Sequence, residues 1–209
     1  MQASNKKVLG ISGVARSGKD TFAAILTYKL QQAGKSVKRV AFADPLKADV
    51  DTFLTKNLGV SAFTTIPEEK LLIRPMLVWY GDAQRKRTDG RYWIDIAKKT
   101  IDETNYDYYI ITDVRYDVYE KDELYFLKNE VNGILCHISK FTWDIQYGHK
   151  VFVKPANDHE ADNDPKISAA AHHIIEWEHV ECKLPEDLLL DSQLNAHVDK
   201  FINIWMPEV

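Results

Sequence analysis

Seven residues limit this chain more than any others: Gly13-Val14-Ala15-Arg16-Ser17-Gly18-Lys19, a G-x-x-x-x-G-K run. In front of it stands a short apolar stretch, Val8 to Ser12, which reads as a buried strand. Behind it Phe22, Ile25, Leu26, Leu30 and Ala33 recur at helical spacing, and Gly34 supplies a stop. Glycines let such a loop curl until successive backbone N–H groups face one point. The helix N-terminus adds partial positive charge and the lysine a full one. A strand, this loop and a helix, in that order, make a cradle for phosphate. The next apolar run, Val37 to Ala43, completes β-loop-α-β, the pattern of a parallel α/β sheet.

Further along, Leu46, Val50, Phe53 and Leu54 share a helical face. Pro67 with Glu68-Glu69 marks another helix start, which Pro75 should break or restart. Trp93, Ile94, Ala97 and Ile101 predict an amphipathic helix, and Tyr108 to Thr112 a buried strand ending at Asp113. A helix near Glu120 to Lys128, a strand from Ile134 to Ile138, a polar loop or lid from Lys140 to Lys166, a strand from His173 to Trp177 and a last helix through Leu194, Val198, Phe201, Ile202 and Trp205 follow. About five strands therefore alternate with helices, with a helical excursion between the second and third.

Candidate chemistry gathers at four places. In the loop, Asp20 stands where the motif usually continues with a hydroxyl that holds Mg²⁺, and Thr21 follows. Either Asp20 is a hard ligand for the metal, or it supports the helix start while Thr21 or water serves. Asp113 ends an apolar strand, where a carboxylate can hold a metal-bound water or orient an acceptor, and Arg115 can clamp phosphate with its fork. Asp44-Pro45 reads as an N-cap and first helical residue, with Lys47 able to meet a phosphate. Tyr80 to Trp93 sets Arg85, Arg87 and Arg91 beside aromatic rings, which suits a nucleoside phosphate or else a solvated basic surface.

The remaining features read as structural. Asp158-His159-Glu160-Ala161-Asp162 lacks a second histidine at ligand spacing and reads as a polar loop. Trp143 could stack on a base or simply pack. No serine–histidine–acid pairing stands out, and Ser12 and Ser17 sit where phosphate would be bound. No arginine follows Arg115, so the lid-like segment offers only Lys140, Lys150, Lys154 and Lys166.

A single domain over residues 1–209 is expected, since a chain this long buries about 70% of its unfolded surface without staples. The formal charge of −4 disfavours a nucleic-acid polymer as partner. Cys136 and Cys182 cannot make a disulfide framework or a cysteine-rich zinc site, which points to reducing cytosol. Val8 to Ile11 is far too short for a signal peptide or a membrane span, so a soluble, cytoplasmic protein without a membrane partner is expected.

In their order and residues, GVARSGKDT at 13–21, FADPLK at 42–47, the arginine region from Gly81 to Trp93 and ITDVRY at 111–116 make the chain resemble the phage deoxynucleoside monophosphate kinases. The resemblance implies a three-layer α/β/α P-loop kinase fold with a mostly parallel five-stranded sheet and an acceptor-binding insertion over about 45–92. It implies ATP and Mg²⁺ on the loop formed by Gly13, Ala15, Arg16, Ser17, Gly18, Lys19, Asp20 and Thr21. The acceptor would lie near Asp44, Lys47, Arg85 or Arg87, Asp113 and Arg115, with Trp143 as a stacking candidate. The reaction would move the γ-phosphoryl of ATP to a deoxynucleoside 5′-monophosphate, in the host cytoplasm if the protein is phage-encoded. Where the family carries His-x-Ser-Glu, this chain has His159-Glu160-Ala161-Asp162, and Glu120 and Glu123 are the nearest glutamates after Arg115. The accepted base stays open, as do a homodimer, a dephospho-coenzyme-A-like acceptor and a nucleotide-binding regulator that transfers nothing.

Overall fold

The computed structural model describes residues 6–181 and 187–206, so Cys182 lies outside the described residues. Six strands form one sheet: β1 (Lys7–Ser12), β2 (Val37–Val40), β3 (Tyr108–Ile111), β4 (Ile134–Asp144), β5 (His149–Phe152) and β6 (His173–Glu178). The helices are α1 (Lys19–Gln32), α2 (Ala43–Leu58), α3 (Pro67–Arg87), α4 (Arg91–Glu103), α5 (Glu123–Tyr125), α6 (Asp158–Ala169), α7 (Asp187–Leu190) and α8 (Ser192–Trp205). A π-helical turn, Phe126–Glu130, follows α5.

β1 lies between β3 and β4, β2 flanks β3, and β6 flanks β4, every one of these pairs parallel. Parallel neighbours need crossover connections, which put helices on the sheet faces. The alternation of side chains divides the core accordingly. Leu9, Ile11, Tyr108, Ile110, Cys136 and Ile138 pack toward α1 and α8. Val8, Tyr109, Ile111 and Leu135 pack the other way, against Trp93, Ile94, Ala97 and Ile101 of α4, Phe126 and Leu127 of the π-helical turn, and Ile167 of α6. The α/β class expected from the opening β-loop-α-β is what forms.

Three local expectations need correction. The sheet has six strands where about five were expected and, beside its four parallel pairs, one antiparallel pair, because β4 runs on to Asp144 and β5 folds back on it around Gly148, whose φ is +64°. Phe141 packs edge-on against both Trp143 and Phe152, which gives this hairpin a small apolar contact of its own. The segment Lys140 to Lys166 is therefore not a loop: it is the end of β4, then β5, then most of α6. Its helix starts at Asn157, whose side chain accepts the Glu160 N–H at 2.9 Å, and Pro165 sits inside it. Pro75 likewise does not break α3, which is continuous from Pro67 to Arg87. Pro75 lies on the exposed side, where water can serve the carbonyl it leaves unbonded. The opposite side is held by Ile73 in a third small core with Val50, Leu54, Val60 and Ala62, which joins α2 to α3.

Candidate functional site

The loop between β1 and α1 has the backbone its glycines allow. Gly13 and Gly18 have φ of +133° and +92°, and Arg16 between them also lies in the left-handed region at +66°. A Cβ on Gly13 would stand 2.2 Å from the Ile138 carbonyl oxygen, and one on Gly18 would stand 2.2 Å from the Trp177 ring. The Trp177 indole N–H donates to the Ser17 carbonyl at 2.9 Å, so β6 props the loop from outside. Lys19 is 6% exposed, and its Nζ donates to the carbonyls of Gly13 and Val14, each at 2.7 Å. Burial lowers its pKa to about 8, with Arg115 adding to the effect, while Asp20, Glu160 and Asp113 pull the other way. These four charges thus gather around one lysine. Ser17 Oγ is buried with no hydrogen-bond partner among the described residues. A curled loop, a buried lysine and an unpartnered hydroxyl fit phosphate oxygens.

The segment after β3 closes one side. The Asp113 carboxylate accepts the N–H groups of Phe42 and Ala43, both at 2.9 Å, and so caps α2 from across the sheet. Burial pushes the Asp113 carboxyl up, against the pull of Arg115 and of those two N–H groups. The Glu123 carboxylate accepts the N–H groups of Arg115 and Tyr116 at 2.6 and 3.0 Å and fixes how the chain leaves the strand. Burial drives Glu123 up to about 8 despite the nearby Arg85 guanidinium. The Arg115 side chain is 44% exposed, and its guanidinium lies 3.4 Å from Glu160.

The other side comes from α6, two of whose carboxylates face the loop one turn apart. Glu160 accepts the Ala15 N–H at 3.1 Å and the Ala156 N–H at 2.9 Å. Burial opposes its charge, but those N–H groups, with Arg115 and Lys19, hold it below the usual carboxylate range. Asp164 lies 3.8 Å from His137 Nε2, and His137 Nδ1 is 3.1 Å from Ser12 Oγ. A serine–histidine–acid chain that the sequence does not reveal is therefore present, assembled from β1, β4 and α6. Ser12 and His137 are 1% and 3% exposed, so both are closed off from solvent where α6 meets the sheet. A cavity of about 120 Å³ opens beside it, lined by Val14, His137, Lys140 and Asp164 among others.

The remaining expected residues are placed as follows. Asp20 is exposed in the first turn of α1, with Thr21 half-buried beside it. Asp44 is not the N-cap of α2, which begins at Ala43 and is capped by Asp113 instead; it pairs with Arg39 at 2.7 Å on the surface. Lys47 stands over the Phe63 ring. Arg85 is not part of a solvated basic patch: it is buried, bound to Asp122 and Glu123, and lies 3.8 Å from the centre of the Tyr116 ring. Arg87 is exposed and donates to Gln84. Trp143 is exposed on the β4–β5 hairpin. Lys19, Asp20, Asp113 and Arg115 are thus brought together; Arg85 lies behind them, bound to the Glu123 that holds the Arg115 N–H, whereas Lys47, Arg87 and Trp143 make their contacts elsewhere. Among the described residues no three His, Cys, Asp or Glu gather to hold a metal by themselves. Mg²⁺ needs no such cage where phosphates supply most of its ligands, and Asp20 and Thr21 are the residues present for it.

Glu160 is the residue that sequence reasoning undervalues, and its signal is visible afterwards: Asn157 followed three residues later by Glu160 is a helix start. No family model matches the chain, and no curated protein matches it. Among solved structures, one described as "Crystal structure of APE1195" is similar over 95% of this chain and 98% of that chain, at 15% identity. Its TM-score of 0.35 is too low to support any conclusion. No helix among the described residues is long and apolar enough to cross a membrane.

Proposed function

We propose that this protein transfers the γ-phosphoryl group of ATP to a deoxynucleoside 5′-monophosphate. The observation that carries the reading is the convergence at the ends of β1 and β3. A glycine-curled loop with a buried lysine at a helix start faces a strand-end aspartate and an arginine. In open α/β sheets ligands sit at these carboxyl ends. In the transfer, an oxygen of the acceptor phosphate bonds to the γ-phosphorus as the bond to the β–γ bridging oxygen breaks, and ADP carries away the negative charge. Lys19 would leave the loop carbonyls for the phosphates, and Arg115 would supply the planar fork between donor and acceptor. Bound Mg²⁺ would neutralise charge on the donor phosphates. The protein's share is positioning and preorganised charge.

A coupled assay for ADP, with ATP and a panel of deoxynucleoside monophosphates, tests the proposal. Lys19→Ala should lower turnover by about a hundredfold or more, and Arg115→Lys should lower the maximal rate although charge is kept. ADP release that never depends on a monophosphate would defeat the kinase reading.

A further inference from the structure

Glu160 does what a phosphate oxygen would do. It accepts the N–H of Ala15, inside the loop, and lies against Arg115. Its side chain is only 12% exposed, so it fills part of the loop's mouth. Yet the rest of α6 is fixed independently of it. Ile167 is 1% exposed in the core, Asp164 faces His137, and Asn157 caps the first turn. Glu160 can therefore rotate out without undocking the helix, and the Ala156 N–H that it also accepts lies at an exposed position where water can replace it.

We propose that Glu160 is a phosphate surrogate: it occupies the loop before nucleotide binds and must be displaced by it. The proposal rests on reading the loop as the nucleotide phosphate site. The charges explain why such a residue would be kept. Lys19, Arg115 and the helix N-terminus put positive charge at the loop, and Glu160 is the carboxylate that meets it at the Ala15 N–H, beside Asp20 and Asp113, when no nucleotide is there. A carboxylate and a phosphate cannot share the Ala15 N–H, because two anions at hydrogen-bond range of one donor repel. The exchange also hands Arg115 over. While Glu160 is in place, one guanidinium nitrogen is turned to it at 3.4 Å; once it leaves, the fork is free to face phosphate. The same act that admits nucleotide thus releases the arginine. A polyphosphate, with several charges and many oxygens, competes against the carboxylate better than a lone phosphate ion.

Calorimetric titration with ATP in the presence of a chelator tests this without turnover. The proteins are the full chain, Glu160→Gln, Asp162→Asn and Lys19→Ala. Glu160→Gln keeps the shape and removes the charge, and should bind ATP about three- to tenfold more tightly, within the usual range for one nearby charge. Asp162→Asn removes the same charge from an exposed position on the same helix, and should bind as the unaltered protein does. Lys19→Ala should bind at least about tenfold more weakly. If the unaltered protein binds, Lys19→Ala does not, and Glu160→Gln binds no more tightly, the surrogate is refuted while the phosphate site stands. Equal tightening in Asp162→Asn and Glu160→Gln also refutes it, since general charge would then be the cause. Binding unaffected by Lys19→Ala, or binding by none of these proteins, overturns the phosphate site and the surrogate together.

Discussion

Both oxygens of the Asp122 carboxylate are bound by one nitrogen of Arg85, at 2.8 and 3.0 Å. Asp122 also accepts the N–H groups of Val118, Tyr119 and Glu123, so the pair ties the last turns of α3 to the chain that follows β3. Arg85 is thereby a structural cation. Its removal leaves two buried carboxylates without their partner, and Arg85→Ala should cost about 3–5 kcal/mol of folding stability. Arg87→Ala, on the exposed side, should change it by less than about 0.5 kcal/mol. Denaturant unfolding of both variants checks this; small and equal losses would return Arg85 to the acceptor site.

Gly18 and Gly34 both have positive φ, but nothing lies within 4 Å of a Cβ built on Gly34, whereas one on Gly18 meets the Trp177 ring. Gly34→Ala should cost about 1 kcal/mol, the left-handed strain alone. Gly18→Ala should cost at least about 2 kcal/mol, since strain and overpacking add. Thermal unfolding of the two variants makes the comparison, and equal losses would mean that Trp177 yields freely.

Nucleotide binding should depend on pH through Lys19. Its pKa in the free protein is lowered to about 8, so the ammonium is present below that pH and lost above it. Phosphate favours the charged form and raises the pKa on binding. Affinity for ATP should therefore be level just below pH 8 and fall above it, by up to about tenfold per pH unit. Titrations across that range show the fall or its absence. A flat profile would mean that Lys19 does not meet the phosphates.

Asp113 caps α2 through two N–H groups, and Asp113→Ala should lower stability by about 1–2 kcal/mol, as a lost helix cap does. Asp44→Ala removes only an exposed pair with Arg39 and should change stability by less than about 1 kcal/mol. Unfolding curves separate the two. Unchanged stability in Asp113→Ala would leave acceptor contact as its remaining role.

The parts that could be read in advance are those whose information is local. The loop from Gly13 to Lys19 carries its turn chemistry in its own residues, and helix α4 carries its apolar face in Trp93, Ile94, Ala97 and Ile101. The strand from Tyr108 to Ile111 announces itself by an unbroken apolar run. What escaped depends on partners far along the chain. Arg85 looks like surface until Asp122 and Glu123 fold over it. Ser12, His137 and Asp164 are separated by long stretches of sequence and meet only across β1, β4 and α6. Asp44 has the right type for a cap, but Asp113 reaches the α2 N–H groups first. Pro75 breaks nothing for a related reason: it lies within a helix that other contacts hold together.

The indole of Trp177 against Ser17 and Gly18 also sets an order of events during synthesis. A chain emerging from the ribosome begins to fold from its N-terminal part, one unit at a time. Here the loop at 13–19 is made before its outer wall, Trp177, and before Ile134–Asp144, a strand beside β1. The nascent loop therefore waits, incompletely walled, until some 160 further residues have been added. The geometry of this loop is therefore complete only once Trp177 has been translated, long after the motif itself.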